Sequence, residues 1–106
     1  MGNETKYIDI AKNIILKFVP KNEYAIFLFG SRAEGNERRA SDIDIGILGM
    51  KEFPVLIKSD LEDELEESII PYKVDIIDFA TVSEEFKKTA LKHIQIWNCP
   101  SAIKIN

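Results

Sequence analysis

The chain has 106 residues, 45% hydrophobic and 30% charged, an ordinary globular composition that suffices for a single small domain over residues 1–106. Its 14 basic and 18 acidic residues give a formal net charge of −4, which leaves no broad basic surface and disfavours direct nucleic-acid binding or a polynucleotide substrate. The single cysteine, Cys99, has no CxxC or Cys/His spacing around it and reads as a partly buried apolar residue, while the charged start MGNETKYIDI and the lack of any apolar run near about 18 residues point to a cytoplasmic chain with no membrane segment.

Taken in order, Tyr7, Ala11, Ile14, Ile15 and Phe18 recur at helical spacing, with Lys12, Asn13 and Lys17 opposite, and Pro20 ends the segment. Ala25 to Phe29 is an unbroken apolar run closed by Gly30, the pattern of a central strand buried on both faces. From Ser41 to Leu48 the chain alternates. Ile43, Ile45 and Ile47 form a core face, and Asp42, Asp44 and Gly46 form an acidic one. Leu61, Leu65 and Ile69 predict a second helix, opened by Ser59 with Glu62 in a capping box, although Phe53 to Ile57 can also belong to it.

After Pro71, the β-branched and aromatic stretch Tyr72 to Phe79 predicts a third strand. Ser83 followed by Glu84 and Glu85 caps a further helix carrying Phe86, Leu91, His93 and Ile94, and the tail from Ile96 adds a short edge strand or none. The order α-β-β-α-β-α implies an α/β (α+β) fold, a small mixed sheet with helices packed on it.

Chemistry concentrates in Gly30 to Asp44, GSRAEGNERRASDID. A glycine ending a buried strand permits positive φ and close approach of a ligand to the backbone. Ser31 opens a helical turn through Arg32, Ala33 and Glu34, where free N–H groups and a hydroxyl grip phosphate oxygens. Arg32 adds a charge-assisted phosphate contact or occupies a solvated helical position. Asp42 and Asp44, two apart on a strand, project from one face, and their mutual repulsion is relieved by a hard divalent cation shared with substrate phosphates. In Tyr72 to Phe79, alternation puts Asp75 with Ile77 and Phe79 and sends Asp78 to the opposite face, so only one of the two aspartates can join that site. Arg38 and Arg39 read as a solvated turn, the acidic run from Asp60 to Glu67 as a wet helix face, and His93 as structural. Trp97 reads as packing at the helix end or in a partner interface.

Gly30-Ser31, ten residues, then Asp42-x-Asp44 resembles the GSx10DxD signature of the polymerase β-like nucleotidyltransferase superfamily. GSRAEG and SDIDIGIL are most similar to the minimal nucleotidyltransferases of the MntA antitoxin type, which pair with HEPN toxins, and the likeness in layout runs over nearly the whole chain. Glu34 departs from the basic or other residue that many relatives carry there, which leaves the phosphate side of the site less basic. The resemblance implies Asp42 and Asp44 as metal ligands, with Asp75 as a third carboxylate that helps hold the metal and takes the proton of the attacking hydroxyl. It further implies phosphate binding by Gly30, Ser31 and Arg32, Mg²⁺ as cofactor, ATP as substrate and adenylylation of a tyrosine on a HEPN-family toxin. A non-catalytic toxin-binding module and a subunit that modifies a small molecule of the antibiotic type are the alternative readings.

Overall fold

A computed structural model describes residues 3–30, 32–33 and 42–105. Three helices and four strands follow one another as α1 (Asn3–Phe18), β1 (Tyr24–Phe29), β2 (Ile43–Gly49), α2 (Val55–Glu66), β3 (Val74–Asp78), α3 (Glu84–Ala90) and β4 (Gln95–Asn98). The strands form one mixed sheet in the order β3-β2-β1-β4. β1 pairs antiparallel with both β2 and β4, whereas β2 and β3 are parallel because the crossover helix α2 joins them. The expected mixed sheet is present, β1 is central and buried along its whole length, and the tail supplies the edge strand β4.

Alternation along the strands builds two cores. On one face Ile26, Leu28, Ile43, Ile45, Ile47 and Ile76 meet Ala11 and Ile15 of α1 and Leu61 and Leu65 of α2. Each fully buried isoleucine or leucine there contributes about 1.5–3 kcal/mol of hydrophobic stabilisation. The other face carries Phe27, Phe29, Leu48 and Phe79 with Ile103 and Ile105 of the tail. Phe86 of α3 lies edge-on to Phe29 at 6.0 Å between ring centroids, and Phe27 meets Phe79 at 4.9 Å. The second face of β2 is therefore acidic only at its start: beyond Asp44 it passes under aromatic rings at Gly46.

Several local expectations change. α1 begins at Asn3, before Tyr7. Ser59 lies inside α2 rather than capping it, because the helix has already started at Pro54, whose carbonyl accepts from the Lys58 N–H at 3.0 Å. What fixes that start is tertiary: the Phe53 N–H donates to Asp78 Oδ2 at 2.8 Å, and the Phe53 ring packs on Tyr24 at 5.2 Å. The cap at Ser83 is as expected, its hydroxyl accepting from the Phe86 N–H at 3.1 Å, but α3 ends at Ala90, so His93 falls in an exposed turn. Cys99 is exposed rather than partly buried, its thiol 3.6 Å from the Ile103 carbonyl. Trp97 sits on β4 and packs against the α1-side core.

A Cβ at Gly46 would overlap the rings of both Phe27 and Phe79. Gly46→Ala is thus expected to destabilise the protein by about 1–3 kcal/mol, the usual cost of overpacking, measured by urea unfolding. An unchanged midpoint would show that the aromatic layer is loose.

Candidate active site

Three strand ends meet at one edge of the molecule: the exit of β1 and the entries of β2 and β3. The parallel register of β2 and β3 puts Asp44 beside Asp75, and the antiparallel register of β1 and β2 puts Asp44 beside Phe29. Directly paired residues share a face. Asp44 therefore has an apolar ring on one side and a carboxylate on the other. The Ile43 N–H donates to the Lys73 carbonyl at 2.8 Å and pins the two strand entries together.

Gly30 closes β1 with φ +80°, in the left-handed region that side chains disfavour. A Cβ at this position would lie 2.5 Å from Asp44 Oδ2, so the glycine also makes room for the carboxylate. The turn continues with the Ala33 N–H donating to the Gly30 carbonyl at 3.1 Å. Ser31, Glu34, Arg38 and Arg39 lie outside the described residues.

Partial burial, followed by the charges of Asp75 and Asp42, raises the Asp44 pKa above the usual carboxylate range, and the Arg32 charge opposes that rise. Asp42 is exposed just before β2, and Asp75 is one-third exposed with Lys73 Nζ 3.5 Å away. Lys73 was not singled out from the sequence, although its position two residues before Asp75 carries the signal. The structure thus gathers Asp42, Asp44 and Asp75 about the Gly30 turn. Asp78 stays apart on the opposite face, where Oδ2 accepts from Phe53 and Oδ1 accepts from the Ala80 N–H at 3.0 Å.

Arg32 does not occupy the solvated helical position that was one of its two expected roles. Only 3% of its surface is exposed, its Nε donates to the Asp42 carbonyl at 3.3 Å, and its guanidinium carbon lies 4.6 Å from the centroid of the Tyr72 ring. Tyr72 carried no motif signal, since its role depends on a contact 40 residues distant in the chain. Beside Asp75, a groove of about 560 Å³ runs past Tyr72 and Pro71 toward Glu62 and Glu66 of α2.

Among the described residues no group of three or more His, Cys, Asp or Glu side chains is placed to hold a metal ion. The donor set nevertheless fits Mg²⁺, which favours one or two carboxylates and leaves positions for water and substrate phosphates. Burial first, and then the charges of Asp75 and Asp42, disfavour the charged form of Asp44, and a bound cation would offset both. No described helix is long and apolar enough to cross a membrane.

Residues 12–99 match the family model described as polymerase beta, nucleotidyltransferase. The chain is 33% identical to the probable protein adenylyltransferase MntA of Haemophilus influenzae, over 84% of this chain and 76% of that protein. It is 32% identical to the protein adenylyltransferase MntA of Shewanella oneidensis, over 76% of this chain and 54% of that protein, and so spans about half of the latter. A crystal structure of a toxin-antitoxin with AMP-PNP superposes with a TM-score of 0.64 at 28% identity, covering 83% of this chain and 73% of that one.

Raising a carboxylate pKa in the folded state means that the folded protein binds a proton more tightly than the unfolded chain. Stability of the metal-free protein therefore falls as pH rises through the window between the unfolded and the raised folded value of Asp44, and recovers on acidification through it. Asp44→Asn removes the repelled charge. Its melting temperature at neutral pH, without divalent cation, is expected to exceed that of the wild type, with a flatter pH profile on the acid side. A lower melting temperature at every pH would contradict the repulsive cluster.

Proposed function

The chain belongs to the polymerase β nucleotidyltransferase family, and on that premise we propose that it is a Mg²⁺-dependent protein adenylyltransferase acting as an antitoxin. It transfers AMP from ATP to a tyrosine hydroxyl of a HEPN-type toxin in the cytoplasm. The observation that carries this reading is the convergence of Asp42, Asp44 and Asp75 beside the positive-φ turn at Gly30. The similarity to protein adenylyltransferases and to a toxin-antitoxin crystallised with AMP-PNP supports the choice of donor, reaction and partner.

In this mechanism Asp42 and Asp44 hold the cation, and Asp75 completes the carboxylate set from the adjacent strand. The Gly30-Ser31 turn takes the β- and γ-phosphates through its backbone N–H groups. Mg²⁺ held there would supply positive charge against the triphosphate and Lewis acidity for the attack. The tyrosine enters by the groove beside Asp75 and gives its proton to that carboxylate. Its oxygen forms the bond to the α-phosphorus while the bond to the β-bridging oxygen breaks, and pyrophosphate leaves. Residues 1–106 act as one catalytic domain, and the partner brings the surface that presents the acceptor.

The test is incubation with a co-expressed HEPN-type partner, labelled ATP and Mg²⁺. Label is expected on a partner tyrosine, and Asp42→Asn or Asp44→Asn should abolish it. A wild-type protein that labels no partner contradicts the reading. Full toxin neutralisation by Asp42→Asn would replace it with that of a non-catalytic binding module.

The two aspartates of β3 separate cleanly. Asp75→Asn is expected to lower the transfer rate by about 10²-fold or more with the fold intact, as loss of a general base does. Asp78→Asn should leave the rate within a few-fold but cost about 1.5–3 kcal/mol of stability, because a charged acceptor of two backbone N–H groups is lost. Transfer rates and denaturant midpoints on both variants decide the assignment, and the reverse pattern would exchange their roles.

A further inference from the structure

We propose that Arg32 is a positioning residue: its guanidinium, shelved on Tyr72, holds the Asp42 backbone and so sets the approach of the two carboxylates at the entry of β2, rather than contacting the substrate phosphates. The inference rests on the reading that Asp42 and Asp44 bind a divalent cation.

A phosphate ligand at the strand ends has to face the open site. The Arg32 guanidinium is instead engaged within the protein: 3% of its surface is exposed, its Nε donates to the Asp42 carbonyl at 3.3 Å, and its central carbon lies 4.6 Å from the Tyr72 ring centroid. Tyr72 is itself braced edge-on by Tyr7 of α1, ring centroids 5.9 Å apart. The side chain therefore ties together three points of the chain. Arg32 lies two residues beyond Gly30 at the exit of β1, Asp42 leads into β2, and Tyr72 leads into β3. These are the same three strand ends that carry Gly30, the Asp42 and Asp44 pair, and Asp75.

A planar, permanently charged guanidinium suits this role because one edge can donate to a carbonyl while the face stacks on an aromatic ring. Lysine retains the charge but has neither the flat face nor the fork, so Arg32→Lys isolates geometry from charge. The carbonyl of Asp42 belongs to the residue that carries a metal-binding carboxylate, and a partner one bond removed from a ligand orients it as an outer-shell group does.

The experiment measures Mn²⁺ binding by calorimetry on the full chain, without nucleotide or partner, together with amide exchange of Ile43 by NMR. The Ile43 N–H is the bond to the Lys73 carbonyl that reports whether the strand entries stay together. Arg32→Lys and Tyr72→Leu are each expected to weaken Mn²⁺ binding by about tenfold, within the range seen for lost outer-shell partners, and to speed Ile43 exchange. The double variant should be little worse than either alone, since both break one unit. Tyr72→Phe keeps the ring face and should restore affinity to within about twofold of wild type.

The proposal is overturned if Arg32→Lys leaves Mn²⁺ affinity and Ile43 exchange unchanged while raising KM for the nucleotide, the pattern of a phosphate ligand. Should the wild type bind no Mn²⁺, the metal reading itself fails, and positioning of the strand entry is then decided by Ile43 exchange in Arg32→Lys and Tyr72→Leu: faster exchange supports it, unchanged exchange overturns it.

Discussion

Two carboxylates from adjacent parallel strands stand side by side at one end of the sheet, and the architecture around them follows from that conflict. Asp44 and Asp75 are register partners across the β2–β3 ladder, with Asp42 at the entry of the same strand. Partial burial, and after it the charges of Asp75 and Asp42, raise the Asp44 pKa and disfavour its charged form. The arrangement persists because Ile43, Ile45, Ile47 and Ile76 on the reverse of the same strands are buried against α1 and α2. The alternation of a strand couples the two faces: a one-residue slip that separated the acids would expose the isoleucines. Hydrophobic burial on one face thus imposes charge proximity on the other.

Glycine and aromatic residues divide the second face into a wet end and a dry end. Gly30 leaves space for Asp44 Oδ2 at the strand end, while Gly46, one alternation further along β2, leaves space for Phe27 and Phe79. Between them the surface changes from carboxylates to a packed aromatic layer within a single strand repeat. That abrupt boundary gives Asp44 its partial burial and strengthens its response to neighbouring charges.

The parts of this site that depend on chain-local geometry could be read from residue order. Asp42 and Asp44 are two apart, Gly30 terminates an apolar run, and the alternation of Tyr72 to Phe79 separates Asp75 from Asp78; each uses only the period of a strand. Features that depend on distant partners could not. Asp78 has a backbone donor 25 residues away at Phe53, and that contact moves the start of α2 to Pro54 although Ser59 and Glu62 form a respectable local capping box. Arg32 is buried because Tyr72 lies beneath it, which no spacing within GSRAEG conveys. Cys99 shows the same limit in reverse. Its residue type favours burial, but its place just after the edge strand β4 leaves it exposed.

The described chain holds a sheet, its covering helices and the carboxylate edge, with a groove opening beside Asp75. The proposal that the three strand-end aspartates form the cation and nucleotide site is tested by a crystal structure with Mn²⁺ and a non-hydrolysable ATP analogue, read by anomalous scattering. The account predicts a manganese peak between Asp42 and Asp44 on the side of Asp75, with the β- and γ-phosphates against the Gly30 turn. A manganese peak elsewhere, or a nucleotide bound away from the Gly30 turn, would contradict it.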